Sequence, residues 1–127
     1  MGYVFKRAKA LREATRLLGE VCEKVYTTKR PSAIPNAMNQ FLVVSIPARI
    51  ADQTAYRETF LRVDVFMREK QGGIEPVMDL EELQESILER FPVNNETMIA
   101  YNPKLIGSGH DGIAFYYLRL QMNLLIK

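Results

Sequence analysis

The chain has one cysteine, one histidine and almost no net charge, and each scarcity closes off a kind of chemistry. A single cysteine, Cys22, excludes an internal disulfide and a cysteine-based zinc site. His110 has no companion at the spacing a metal site needs. A formal charge of +2 is too small to call for a polyanionic partner by itself. No apolar run approaches the roughly 20 residues of a membrane span, so no membrane partner is expected. Met1-Gly2-Tyr3-Val4-Phe5 meets charged residues at once, which does not read as a signal peptide, and a cytoplasmic origin is expected. There is no repeat and no low-complexity segment. What remains is ordinary globular composition, 47% hydrophobic and 25% charged over 127 residues, and predicts one domain spanning residues 1–127.

Hydrophobic periodicity orders the elements. Between Lys6 and Tyr26, Leu11, Ala14, Leu18, Val21, Cys22 and Val25 recur at three- and four-residue steps, which predicts an amphipathic helix. Cys22 lies in that stripe and reads as a small buried hydrophobe. Thr27 to Asn39, with Pro31 and Pro35, reads as a loop. Phe41 to Ile46 is a predicted strand ended by Pro47, and Tyr56 to Arg68 another, with Leu61, Val63, Val65 and Met67 on one face and the other face wet. A second helix is predicted from Pro76 or Asp79 to Arg90, with Asp79 and Glu82 as a capping box and Leu80, Leu83, Ile87 and Phe91 as its stripe. Thr97 to Tyr101 predicts a short strand, Asn102 to Gly112 a glycine-rich loop, and Ile113 to Ile126 a long strand buried through its even positions. The expected fold is α+β in the order α-β-β-α-β-β, a four-stranded, mostly antiparallel sheet with two helices packed on one face.

Three clusters invite a chemical reading. Ser108, His110 and Asp111 crowd into one glycine-rich stretch, whereas triad members converge from separate elements, so a turn is expected rather than a catalytic site. Its glycines precede a strand and not a helix, which removes a phosphate cradle. Glu82, Glu85 and Glu89 share a helix face opposite the apolar stripe and read as a solvated face or an acidic docking patch. Lys6, Arg7, Lys9, Arg12 and Arg16 make the start of the first helix basic, yet no nucleic-acid motif accompanies them. Opposite patches on one small subunit suit head-to-tail contacts between identical copies, which close into a ring when the rotation allows. The expectation is a non-enzymatic protein that works through its surfaces.

The element order, together with Ala10-Leu11-Arg12-Glu13-Ala14, Phe41 to Pro47, Phe60 to Phe66, Leu80 to Leu88 and Tyr116 to Leu120, resembles the tail terminator (tail completion) proteins of long-tailed bacteriophages. The resemblance is one of pattern, covers about Lys6 to Lys127, and contains no single diagnostic motif. It implies a structural part of a virion or prophage, assembled in the host bacterial cytoplasm. Such proteins form a ring, typically of six copies, at the head-proximal end of the tail tube. They stop its polymerisation and offer a surface to the neck, with no cofactor and no reaction. In this family reading the segment from Arg49 to Arg57 and the loop from Asn102 to Gly112 would be the arms that reach neighbours or the tube. Candidate interface residues are Arg12, Arg16, Arg49, Arg57, Glu82, Glu85, Glu89, His110 and Asp111. Another connector protein of the neck, or a small DNA-binding module using the basic helix, are the competing readings.

Overall fold

The computed structural model describes residues 7–32, 34–47 and 57–127, with the backbone alone at 57 and 58. The chain runs α1 (Arg7–Leu18), β1 (Val25–Thr27), β2 (Gln40–Ser45), β3 (Arg57–Arg68), α2 (Val77–Leu88), β4 (Val93–Asn94), β5 (Met98–His110) and β6 (Phe115–Ile126). All the strands join one sheet in the order β1-β2-β3-β6-β5-β4. Only β1 and β2 are parallel; every other neighbouring pair is antiparallel. The expected four-stranded sheet is therefore replaced by a mixed six-stranded one.

The two additional strands are the shortest, at 3 and 2 residues, too brief for alternation to register in a sequence. Val25 to Thr27 had been expected within or just beyond the first helix. That helix stops at Leu18 because Gly19 is a poor helix former and the chain folds back, with the amides of Val21 and Cys22 both donating to the Leu18 carbonyl. Val25, Tyr26 and Thr27 then pair with Leu42, Val43 and Val44, so sheet pairing overrides the helical spacing.

The second correction concerns β5. Asn102 to His110, expected as loop, continues the strand to a length of 13 residues. Asn102 and Pro103 are accommodated at a register shift between Tyr101 and Lys104, where Asn102 takes φ 61°, and Ile106 at a second between Leu105 and Gly107, while Gly107 and Gly109 pair with Arg119 and Tyr117. The turn into β6 is correspondingly short.

Both helices bury their stripes on the same face of the sheet. Ala10, Ala14 and Leu18 of α1 and Leu80, Leu83 and Ile87 of α2 share one core with Leu42, Val44, Leu61, Val63, Val65, Leu120, Met122, Leu124 and Ile126. The Asp79–Glu82 capping box does not form. Helix α2 begins at Val77 after Pro76, without a side-chain cap, and the Leu80 amide donates to the Pro76 carbonyl.

The opposite face of β3, expected to be wet, is covered at one end. Phe41, Val43, Phe66 and Phe115 form a second, smaller core, flanked by Tyr26, Ile34, Met38 and Tyr117. This explains why Phe41 to Val44 are buried in an unbroken run: β2 is covered on both sides. The described residues between Thr28 and Met38 lie over this core like a strap, with Arg30, Ile34 and Met38 against it. Arg68 of β3 donates to the carbonyls of Met38 and Pro35 and lies 4.7 Å from the Phe115 ring centre, holding the strap down.

Asn95 ties the layers together at the start of β5. Its side chain accepts from the amides of Thr97 and Met98 and donates to Glu13 of α1 at 2.8 Å. Asn95→Ala is expected to cost about 1–2 kcal/mol, the scale of hydrogen bonds lost from one polar group, measurable as a lowered urea midpoint with unchanged slope.

Candidate functional site

The Ser108–His110–Asp111 cluster is a structural joint. The Gly112 amide donates to His110 Nδ1 at 2.9 Å, so the ring proton lies on Nε2, which reaches Glu69 Oε2 at 2.8 Å. Both ring nitrogens are thus engaged. Asp111 is more deeply committed: Oδ1 accepts from the amides of Ile113, Ala114 and Phe115, while Oδ2 accepts from Arg30 Nη1 at 2.8 Å. Burial pushes the Asp111 carboxyl up. The amides of Phe115 and Ile113, the Arg30 guanidinium and the Ala114 amide outweigh this and hold it well below the usual carboxylate range. The result is a fixed turn between β5 and β6 that also pins the strap.

Cys22 is buried beneath the turn after α1, and burial pushes its thiol up, which makes it an inert hydrophobe. Among the described residues no group of three or more histidine, cysteine, aspartate or glutamate side chains could hold a metal ion.

The charged helices remain as surfaces. Arg12 is exposed on α1. Arg16 is also exposed but forms a fork with Glu13 at 2.9 and 2.7 Å, and those hydrogen bonds hold the Glu13 carboxyl below its ordinary range. One of the basic charges is therefore balanced locally. Beside Arg12 and Arg16 runs an open groove of about 600 Å³, bounded by Ala8, Leu11 and Thr15 of α1 and by Thr27 of β1. Glu82 and Glu85 are exposed on α2, and Glu89 is exposed at its C-cap. Glu82 borders a second hollow of about 530 Å³ with Gln40, Lys70, Asp79 and Ser86.

These candidates do not converge within one chain. The segments just beyond the C-terminal ends of α1 and α2 are joined by Glu20 and Arg90 at 3.3 Å, away from Arg12. His110 and Asp111 sit together at the β5–β6 turn. Arg49 and most of the expected Arg49–Arg57 arm lie outside the described residues; Arg57 is placed only by its backbone, opposite Ile126.

Exposed apolar side chains were not legible as candidates. Tyr101, Leu105 and Ile106 project from β5, Phe60 from β3, Ile74 from the turn before α2, and Val77 and Met78 from the start of α2. The outer edge of β5 beyond Ala100 has no strand partner among the described residues, since β4 reaches only Ile99 and Ala100. The signal for Met78 was present: it falls on the glutamate-bearing side of α2, against the amphipathic pattern. The signal for Leu105 and Ile106 was obscured by the surrounding glycines and proline.

No family model and no curated protein matches the chain. Solved structures do match. One superposes over 98% of this chain and 97% of its own length with a TM-score of 0.61 at 14% sequence identity, and its name states no function. At that identity the likeness establishes the fold alone. Over the described residues the class is therefore an α+β fold of two helices on a mixed six-stranded sheet, and a solved structure has a similar fold over nearly its whole length.

Proposed function

We propose that this protein is a structural subunit of a long-tailed bacteriophage or prophage. It would cap the tail tube as an oligomeric ring, ending polymerisation and presenting the surface on which the neck of the head docks. The pattern resemblance supplies the family. The observation that carries the reading is the distribution of exposed apolar side chains: Tyr101, Leu105 and Ile106 on a strand whose outer edge has no partner among the described residues, with Ile74 in the turn before α2 and Val77 and Met78 at its start. Unpaired edges and apolar patches are liabilities in a free monomer and natural contact surfaces in an assembly.

The mechanism needs no bond chemistry. One side of the ring engages the last tube subunits, and the other does not reproduce the surface on which a further tube layer would stack. Growth stops because the next addition lacks its partner. Lateral contacts between copies are head-to-tail, since different patches on one subunit face each other in a closed ring.

Native mass spectrometry across a concentration series tests the ring, and a tube-growth assay with the cognate tube protein tests the cap. A six-fold species is expected that weakens as salt is raised, because contacts among exposed charges are screened. Tubes grown with the protein are expected to be shorter and to resist further elongation. A monomer at every concentration, with tube lengths unchanged, overturns the reading.

A further inference from the structure

Helix α1 has three surroundings. Ala10, Ala14 and Leu18 face the sheet. Glu13 and Glu20 reach towards Asn95 and Arg90, on the side where α2 lies. On the far flank, Ala8, Leu11 and Thr15 form the wall of the groove of about 600 Å³ against Thr27 of β1, with Arg12 at its rim and beside it Arg16, whose Nε and Nη2 serve Glu13 while its side chain stays largely exposed. Because β1 is an edge strand among the described residues, this groove lies at the outer border of the described sheet. Among the described residues, only α1 and β1 line it, and α2 contributes no side chain.

The outer face of α2 has the complementary chemistry. Met78 is 79% exposed, opposite the buried Leu80, Leu83 and Ile87. Exposed glutamates surround it along the same face: Glu81, Glu82, Glu85 and Glu89. A flexible methionine adapts to an irregular apolar groove, and the glutamates match guanidinium groups at its rim. Arg12 and Arg16 are one helical turn apart, as are Glu85 and Glu89, so both pairs repeat at about 6 Å along their helices.

We propose that a second copy of this chain occupies the α1 groove, inserting Met78 of its α2 while Glu85 and Glu89 meet Arg12 and Arg16. The charge complementarity selects this occupant. A knob on one side of the subunit enters a groove on another, which is a head-to-tail contact and propagates until it closes. This assignment rests on the ring reading and names the surfaces between its neighbours.

Two charge reversals in the full chain test it. The Arg12→Glu/Arg16→Glu variant has acidic surfaces on both helices, and the Glu85→Lys/Glu89→Lys variant has basic ones. At a concentration where the wild type assembles, each variant alone is expected to lose at least about tenfold of the assembled species in native mass spectrometry, the scale of a few like-charge contacts. Mixed in equal amounts, they are expected to assemble again, because both alternating contacts are then attractive. Far-UV circular dichroism and thermal midpoints of the separate variants report that each is folded. Variants that assemble like the wild type overturn this contact and leave the ring standing. Failure of the mixture to assemble, with both variants folded, also overturns it. A wild type that stays monomeric with and without tube protein overturns the contact and the ring together.

Discussion

Asp111→Ala is expected to lower stability by about 3 kcal/mol, roughly 10 °C in Tm, out of proportion to a turn residue at the surface of a strand connection. One carboxylate accepts from the amides of Ile113, Ala114 and Phe115 and from Arg30, and its side chain is only 8% exposed. Removing it leaves those amides without their acceptor and leaves the Arg30 guanidinium unpaired above an aromatic cluster. The pH dependence has a definite sign. Asp111 is held below its ordinary range, so its contribution is fully present above the unfolded-state pKa of about 4 and is lost as pH falls towards the depressed folded value. Wild-type protein is expected to lose stability steeply on acidification below about pH 4, and Asp111→Asn to show a flatter acid limb from a lower plateau. Equilibrium urea unfolding between pH 2 and 7 reads both. An Asp111→Ala midpoint within error of wild type would remove the joint from the account of the fold.

Phe41→Ala is expected to cost about 4 kcal/mol, within the range for deleting a buried aromatic ring. The ring is fully buried, stacks on Phe66 at 4.7 Å with a 9° interplanar angle, and meets Phe115 edge-on at 5.3 Å. The second core is small, so the surroundings have few side chains with which to fill the void. The strap from Thr28 to Met38 would lose the surface on which it rests, and limited proteolysis is expected to cut there first in the variant. Arg30 links the two predictions, since it pairs with Asp111 and lies 5.8 Å from the Phe41 ring centre. The double variant is therefore expected to lose less than the sum of the single losses. A cost below about 1 kcal/mol for Phe41→Ala would mean that the strap repacks and that this face adds little to the fold.

Particular residues show what was legible. From Leu118 onwards the even positions of β6 are buried in strict alternation, at Leu118, Leu120, Met122, Leu124 and Ile126, whereas at its start the odd Phe115 is buried in the second core and Tyr116 only partly. Leu61, Val63, Val65 and Met67 behave likewise in β3, and the stripe of α2 falls on Leu80, Leu83 and Ile87. These segments are long and their neighbours supply one apolar side, so local period and tertiary environment agree. The Asn102 to His110 stretch shows the opposite case. Its glycines, asparagine and proline carry loop chemistry, but β6 offers a continuous row of partners and two irregularities absorb the misfit.

The sequence by itself determined the stripe of α2, the Ala14 and Leu18 part of that of α1, and the buried side of the last strand from Leu118 onwards, because a period of 3.6 or 2 names a face without knowing what covers it. Only the tertiary structure decided that Val25 to Thr27 leave the helix for a parallel edge, that Phe41 is buried on the side away from the helices, and that Asp111 holds a strap by way of Arg30, 81 residues distant. Each of these depends on a partner far away in the chain, and no local pattern of residues encodes the geometry of a distant neighbour.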